Sequence, residues 1–245
     1  IISRLKSQQE KLIINERYEA WGSLARKLAH EIKNPLTPIQ LTIDRIRNKY
    51  SDQISDSDQS QFKENLKIIN NQIKQIENLV NEFSDFARMP KPILKSNDLI
   101  KILGENIKLL NEIDKSIKID FVKNEKKILF ECDKEQIGRV FFNLIKNSIE
   151  SIQQKSKKNP NFNKKISIEI SKNNDHIKLV LIDNGVGFDQ NNNIKDILNP
   201  YYTTKKNGTG LGLSIVNKII NDHDGELEFY SINVGAKIEI KFKLD

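Results

Sequence analysis

One histidine sits where a packing residue would not. Around His30-Glu31-Ile32-Lys33-Asn34-Pro35-Leu36, apolar residues recur at helical spacing: Leu24, Leu28, Ile32, then Ile39, Ile43 and Ile46. Such a stripe buries one side of an amphipathic helix. His30 lies two positions from both Leu28 and Ile32, about 200° around the helix from each. It is therefore expected to face water. An imidazole exposed in this way suggests a site rather than packing. The carboxylate of Glu31 stands beside it, and Pro35 follows five residues later.

Three further clusters lie downstream. Asn143 and Asn147 are one helical turn apart and share a face, within an apolar run containing Phe141, Phe142, Leu144 and Ile145. Amide oxygens are hard ligands suited to Mg²⁺, although two solvent-facing amides would look the same. Asp183-Asn184-Gly185-Val186-Gly187-Phe188 follows an apolar run. A carboxylate at a strand end can accept a hydrogen bond from a purine amine while glycines let the backbone approach the ring; a plain turn uses the same residues. Asn207-Gly208-Thr209-Gly210-Leu211-Gly212-Leu213 opens a helical pattern. Alternating glycines before a helix N-terminus make an anion site, or simply a flexible turn.

The elements that must position these residues fall into two textures. Residues 1 to about 48 predict one long helix, with Leu5 and Leu12 a heptad apart and a bend after His30 where Pro35 removes a backbone donor. A polar turn is expected over 49–60. A second helix over about 60–88 shows Phe62, Leu66, Ile69, Ile73, Ile76, Val80 and Phe83 at alternating spacings of four and three. A hairpin of two such helices leaves apolar surface uncovered, and pairing with a second copy into a four-helix bundle covers it. Met89-Pro90-Lys91-Pro92 ends the helix. Beyond it the pattern is mixed: helix 97–113, strands 117–122 and 127–131, helix 134–156, strands 165–172 and 177–183, a loop to about 210, helix 211–222, and strands 226–231 and 235–243. That order fits an α/β sandwich.

Bulk composition narrows the function. The formal charge of +7 comes from basic residues interleaved with acids, with no aromatic-basic stripe, so a nucleic-acid groove is not expected. The single cysteine, Cys132, excludes an internal disulfide and points to a buried thiol in a reducing, cytoplasmic compartment. No apolar run is long enough to span a membrane, so membrane attachment is expected only through segments absent from this chain. His176 and His223 are expected at the surface, and Trp21 in packing or a dimer contact.

In this order and at these intervals the motifs resemble the cytoplasmic kinase core of a bacterial sensor histidine kinase, over essentially the whole chain. The wording Ala29-His-Glu-Ile-Lys-Asn-Pro-Leu-Thr-Pro-Ile-Gln40, preceded by Glu19-Ala-Trp21, is similar to that of nitrogen-regulation sensors. The resemblance implies a multidomain α and α+β architecture. A signalling helix over 1–20 leads into a dimerisation and histidine phosphotransfer hairpin over 21–90. A catalytic ATP-binding domain of the gyrase, Hsp90, histidine kinase and MutL type then covers 91–245. His30 becomes the phospho-acceptor, Glu31 the general base, and Asn34 the residue that orients a water for phosphatase activity. Asn143, Lys146 and Asn147 fall on the Mg²⁺- and phosphate-binding segment, with Asn147 as the metal ligand. Asp183 reads adenine, with Gly185 and Gly187 in the first glycine box. Tyr202, Thr204 and Lys205 lie in the segment before the lid. Gly208, Gly210, Leu211 and Gly212 form the second glycine box. Ser148 and Ser151 depart from the small alanines usual there, and Asn199 from a frequent acid.

The implied activity is transfer of the ATP γ-phosphoryl group, with Mg²⁺, to His30 and onward to an Asp in the receiver domain of a response regulator. The implied state is a homodimer whose full-length form is anchored in the bacterial inner membrane. The alternatives are a phosphatase-dominant sensor and a non-enzymatic, ATP-binding dimer scaffold.

Overall fold

The computed structural model describes residues 27–51, 53–87, 89–159, 161–188, 194–205 and 208–244. Trp21, Leu24 and the Leu5–Leu12 heptad lie outside them. The chain divides into two compact units, residues 1–90 with 205–209, and residues 91–204 with 210–245.

The first unit is a helical hairpin. Helix α1 is described over residues 27–50 and runs through Pro35 without interruption. Helix α2, Asp56–Ala87, starts four residues earlier than the expected residue 60, because its first turn is polar and carries no stripe. Leu36 and Ile43 of α1 pack with Leu66 and Ile73 of α2 in one cluster, with Phe62 against it. Ala29 and Val80 are buried as well. The Gln40 amide donates to Asn70 Oδ1 at 3.1 Å and ties the two helices together. The other heptad position stays outside: Ile32, Ile39 and Ile46 on α1, and Ile69 and Ile76 on α2, are each at least 36% exposed. A two-helix hairpin has one seam, so only half of each stripe finds a partner within the chain.

The second unit is a layer of helices on a five-stranded sheet. Strand β1, Lys95–Asp98, pairs antiparallel with β3, Leu129–Cys132, as a separate ribbon. Strands β2 (Lys118–Lys123), β4 (Lys165–Lys172), β5 (His176–Asp183), β6 (Gly225–Ser231) and β7 (Ala236–Lys243) form the main sheet in the order β2-β4-β5-β7-β6. Only the β2–β4 pair is parallel. Helices α3 (Leu99–Asn111), α4 (Lys134–Ser156) and α5 (Gly212–Asp222) supply the helical layer, with α4 between the other two. A 3₁₀ turn covers Ile194–Leu198. Burial has period two on β4 (Ile166, Ile168, Ile170) and β5 (Ile177, Leu179, Leu181), and Ile137, Val140, Phe141, Leu144, Ile145 and Ile152 are the buried face of α4.

The main departures from the sequence reading are local. The helix expected at residue 97 begins at Leu99, because Lys95–Asp98 is a strand and Asp98 caps α3, accepting from the Ile100 amide at 3.1 Å. His223 is not a surface residue but 6% exposed. Its Nε2 accepts from the Asp133 amide at 3.0 Å, and its Nδ1 donates to the Ile219 carbonyl at 2.8 Å. This joins the end of α5 to the start of α4. Cys132 is fully buried, and burial pushes its thiol up to about 11.

Candidate functional site

The phospho-acceptor candidate is on the hairpin. His30, Glu31 and Asn34 are all exposed on α1, and Glu31 lies 4.0 Å from Lys27 in an exposed pair. His30 and Asn34 are one turn apart and share a face.

Most of the other candidates lie in the second unit, at the end of β5, along α4 and at the start of α5, whereas Lys205 and Gly208 fall in the segment grouped with the hairpin. Asp183 is the last residue of β5 and only 4% exposed. Its Oδ1 accepts from the Gly185 amide at 2.9 Å, and its Oδ2 from the Ser148 hydroxyl at 3.0 Å. Burial raises its pKa above the ordinary carboxylate value, against hydrogen bonds from Gly185, Ser148 and the Ala236 amide and the charge of Lys155. A carboxylate so placed is a buried acceptor held on both oxygens by protein donors.

The turn after Asp183 is held by one face of α4. Ser151 Oγ accepts from the Val186 amide at 3.0 Å. Lys155 Nζ donates to the Asn184 and Gly185 carbonyls at 2.8 and 3.0 Å, with its ammonium 4.7 Å from the Phe162 ring centroid. Gly185 packs against Ser151 so closely that a Cβ would stand 2.8 Å from the Ser151 backbone. Across the sheet, Gly235 holds φ +86° and a Cβ there would lie 2.6 Å from the Asp183 carbonyl carbon. Gly187 in turn faces the Gly235 carbonyl. Sequence reading missed Gly235 and Lys155 and gave Ser148 and Ser151 no contacts. The serines stood out only as departures from alanine, whereas Gly235 reads as an ordinary hairpin glycine.

Asn143 and Asn147 lie one turn apart on α4, with Asn143 beside the N-terminus of α5. Asn143 donates to the Arg139 carbonyl at 2.9 Å, and its Oδ1 approaches Gly212, where a Cβ would lie 3.4 Å away. Lys146 is exposed, 3.9 Å from Glu150. No cluster of three or more His, Cys, Asp or Glu able to hold a metal occurs among the described residues. The donor set fits Mg²⁺ held by an amide oxygen and phosphate, not a carboxylate cage.

Helix α5 opens at Gly212 with the apolar Leu211, fully buried, at the cap position and no side-chain cap hydrogen bond. A helix start of this kind favours an anion. Gly210 has φ +71° and its carbonyl accepts from the Tyr201 amide at 3.0 Å, tying the Tyr202–Thr204 segment to the glycine box. Tyr202 is half-buried, whereas Thr204 and Lys205 are exposed. Gly208 donates to the Lys205 carbonyl at 3.2 Å and falls in the segment grouped with the hairpin, apart from Gly210 and Gly212.

A buried carboxylate at a strand end, two helix amides and a glycine-rich helix start on a sheet backed by helices fit an ATP-binding domain of the gyrase and Hsp90 class. Residues 132–245 match the model of the histidine kinase-, DNA gyrase B- and HSP90-like ATPases, and residues 20–92 that of the His Kinase A phospho-acceptor domain. The chain belongs to the sensor histidine kinases. It is 36% identical to an NtrY-like sensor histidine kinase of Rickettsia felis over its whole length, and 34% identical to the nitrogen regulation protein NtrY of Azorhizobium caulinodans over 95% of it. It spans 39% and 30% of those proteins. Among solved structures, the catalytic domain of histidine kinase ThkA is 25% identical with TM-score 0.54, covering 61% of this chain and 95% of that one. ThkA solved with the response regulator TrrA has TM-score 0.65 at 24% identity, covering 98% of this chain and 66% of that one; this is a likeness of fold.

Proposed function

We propose that this chain is the core of an ATP-dependent histidine autokinase in nitrogen-related two-component signalling. Its γ-phosphoryl transfer goes to His30, and the phosphohistidine then donates to an Asp of a response-regulator receiver domain. The observation that carries the reading is the coexistence of an exposed His30 within the phospho-acceptor match and a buried Asp183 within the ATPase match. Phosphoryl transfer has little bond-making for a protein to assist, so positioning and charge neutralisation dominate. In this reading Asp183 orients the base, and the start of α5 with Gly210 and Gly212 receives phosphate. Asn147, with Asn143 beside it, would hold Mg²⁺, which supplies charge neutralisation on phosphate oxygens when bound. Neutral His30 attacks through one ring nitrogen, and Glu31 takes the proton from the other as positive charge develops.

Asn34, exposed one turn from His30, supports a second activity, hydrolysis of the phosphorylated regulator. The uncovered Ile32, Ile39, Ile46, Ile69 and Ile76 support a homodimeric four-helix bundle. No helix among the described residues is long and apolar enough to cross a membrane. The reading places this core in the cytoplasm and leaves any membrane anchor to other segments.

Incubation with γ-labelled ATP and Mg²⁺ tests the kinase reading. The expected result is an acid-labile, base-stable label that is absent from His30→Gln. Intact nucleotide binding without label would overturn it and leave the scaffold reading.

A further inference from the structure

We propose that Ser148 is a positioning and specificity-determining residue of the base pocket, its hydroxyl fixing the Asp183 carboxylate as an acceptor for the 6-amino group of a purine. The inference rests on the nucleotide reading above and deepens it.

An ionised carboxylate offers about four lone-pair sites and no donor. The Gly185 amide takes one at Oδ1 and the Ser148 hydroxyl one at Oδ2, at 2.9 and 3.0 Å. The Ala236 amide of β7, paired with Asp183 across the sheet, also acts to lower the carboxyl's pKa. Acceptor capacity remains on the carboxylate for a ligand donor, which suits an N–H of a 6-amino group. Because both oxygens are held, the carboxylate cannot turn about its Cβ–Cγ bond without breaking a buried hydrogen bond.

Ser148 is 2% exposed and its hydroxyl also sets the sign of the group it faces. A hydroxyl that donates stabilises the ionised acid; a protonated acid would instead donate, either to the hydroxyl or to a 6-oxo group. Lys155 on α4 is the cation acting on Asp183, while the turn contributes the Gly185 amide and β7 the Ala236 amide. Ser148, Ser151 and Lys155, at spacings of three and four, form one polar stripe of α4 that grips the turn from Asp183 to Val186. Removing the Ser148 hydroxyl leaves burial less opposed, so the carboxyl protonates more readily.

Calorimetric titration of the 245-residue chain with ATP and with inosine triphosphate, from mildly acid to mildly alkaline pH, tests this. Ser148→Ala is expected to bind ATP about tenfold more weakly near neutral pH. The pH at which ATP binding falls should move upward, and the preference for ATP over the 6-oxo analogue should narrow. Ser148→Cys, near-isosteric with a weak donor, should lie between, and it carries the same test if the alanine variant shows no cooperative unfolding transition. Unchanged ATP affinity and pH dependence would overturn the proposal. So would equal weakening toward both nucleotides at every pH, which marks a packing effect alone. Should the unaltered chain bind no ATP, the nucleotide reading itself fails. If it binds and Asp183→Asn does not, while Ser148→Ala matches the unaltered chain, only the role of Ser148 is lost.

Discussion

Asp183 carries a cost that its neighbours only partly offset. Burial raises its folded-state pKa above 3.8, so above that pH the folded chain holds more protons than the unfolded one. Stability therefore falls as pH rises through the folded-state value, and the penalty disappears below 3.8. Asp183→Asn removes the charge while keeping an oxygen for the Gly185 amide. Urea midpoints across pH should show the variant gaining on the unaltered chain as pH rises. The same variant should lose ATP affinity by about 10–100-fold, because a charge-assisted acceptor becomes a neutral amide of mixed polarity. His30, Asp183 and the glycines were legible as residues because their types are unusual for their places. His223 was not legible: its burial comes from the Asp133 amide, 90 positions away, and no local pattern signals that.

At the scale of elements, the stripe on α4 and the hairpin β6–β7 meet around one turn, and Gly235 sets the distance between them. A side chain there would be strained twice, by φ +86° and by the Asp183 carbonyl and Asn184 Cα, the latter 2.8 Å from a Cβ. Gly235→Ala should destabilise the second unit by roughly 2–3 kcal/mol or more, read as a lower denaturation midpoint, and weaken nucleotide binding in parallel. Helices α2, α4 and α5 were legible because their apolar faces repeat every three or four residues. Strand β1 was not: Lys-Ser-Asn-Asp has no alternation, and only pairing with β3 makes it a strand.

For the whole molecule, the hairpin's heptads split into one position that packs within the chain and one that does not. Ile69→Lys puts a charge on the uncovered position without touching the Leu36–Ile43–Leu66–Ile73 cluster. Light scattering should report a mass near half that of the unaltered chain. An unchanged mass would count against the bundle. The fold class was legible from the order of helical and alternating patterns, whereas the strand order was not, since β7 enters between β5 and β6 only through long-range pairing. That insertion also imposes a timetable. The contacts between α1 and α2 need nothing beyond Ala87. The sheet cannot close, nor Ala236 reach Asp183, until residues 236–243 have been synthesised. During translation the chain therefore can pack the two helices of its hairpin before its second unit is whole, and a chain cut short before β7 carries the first without the second.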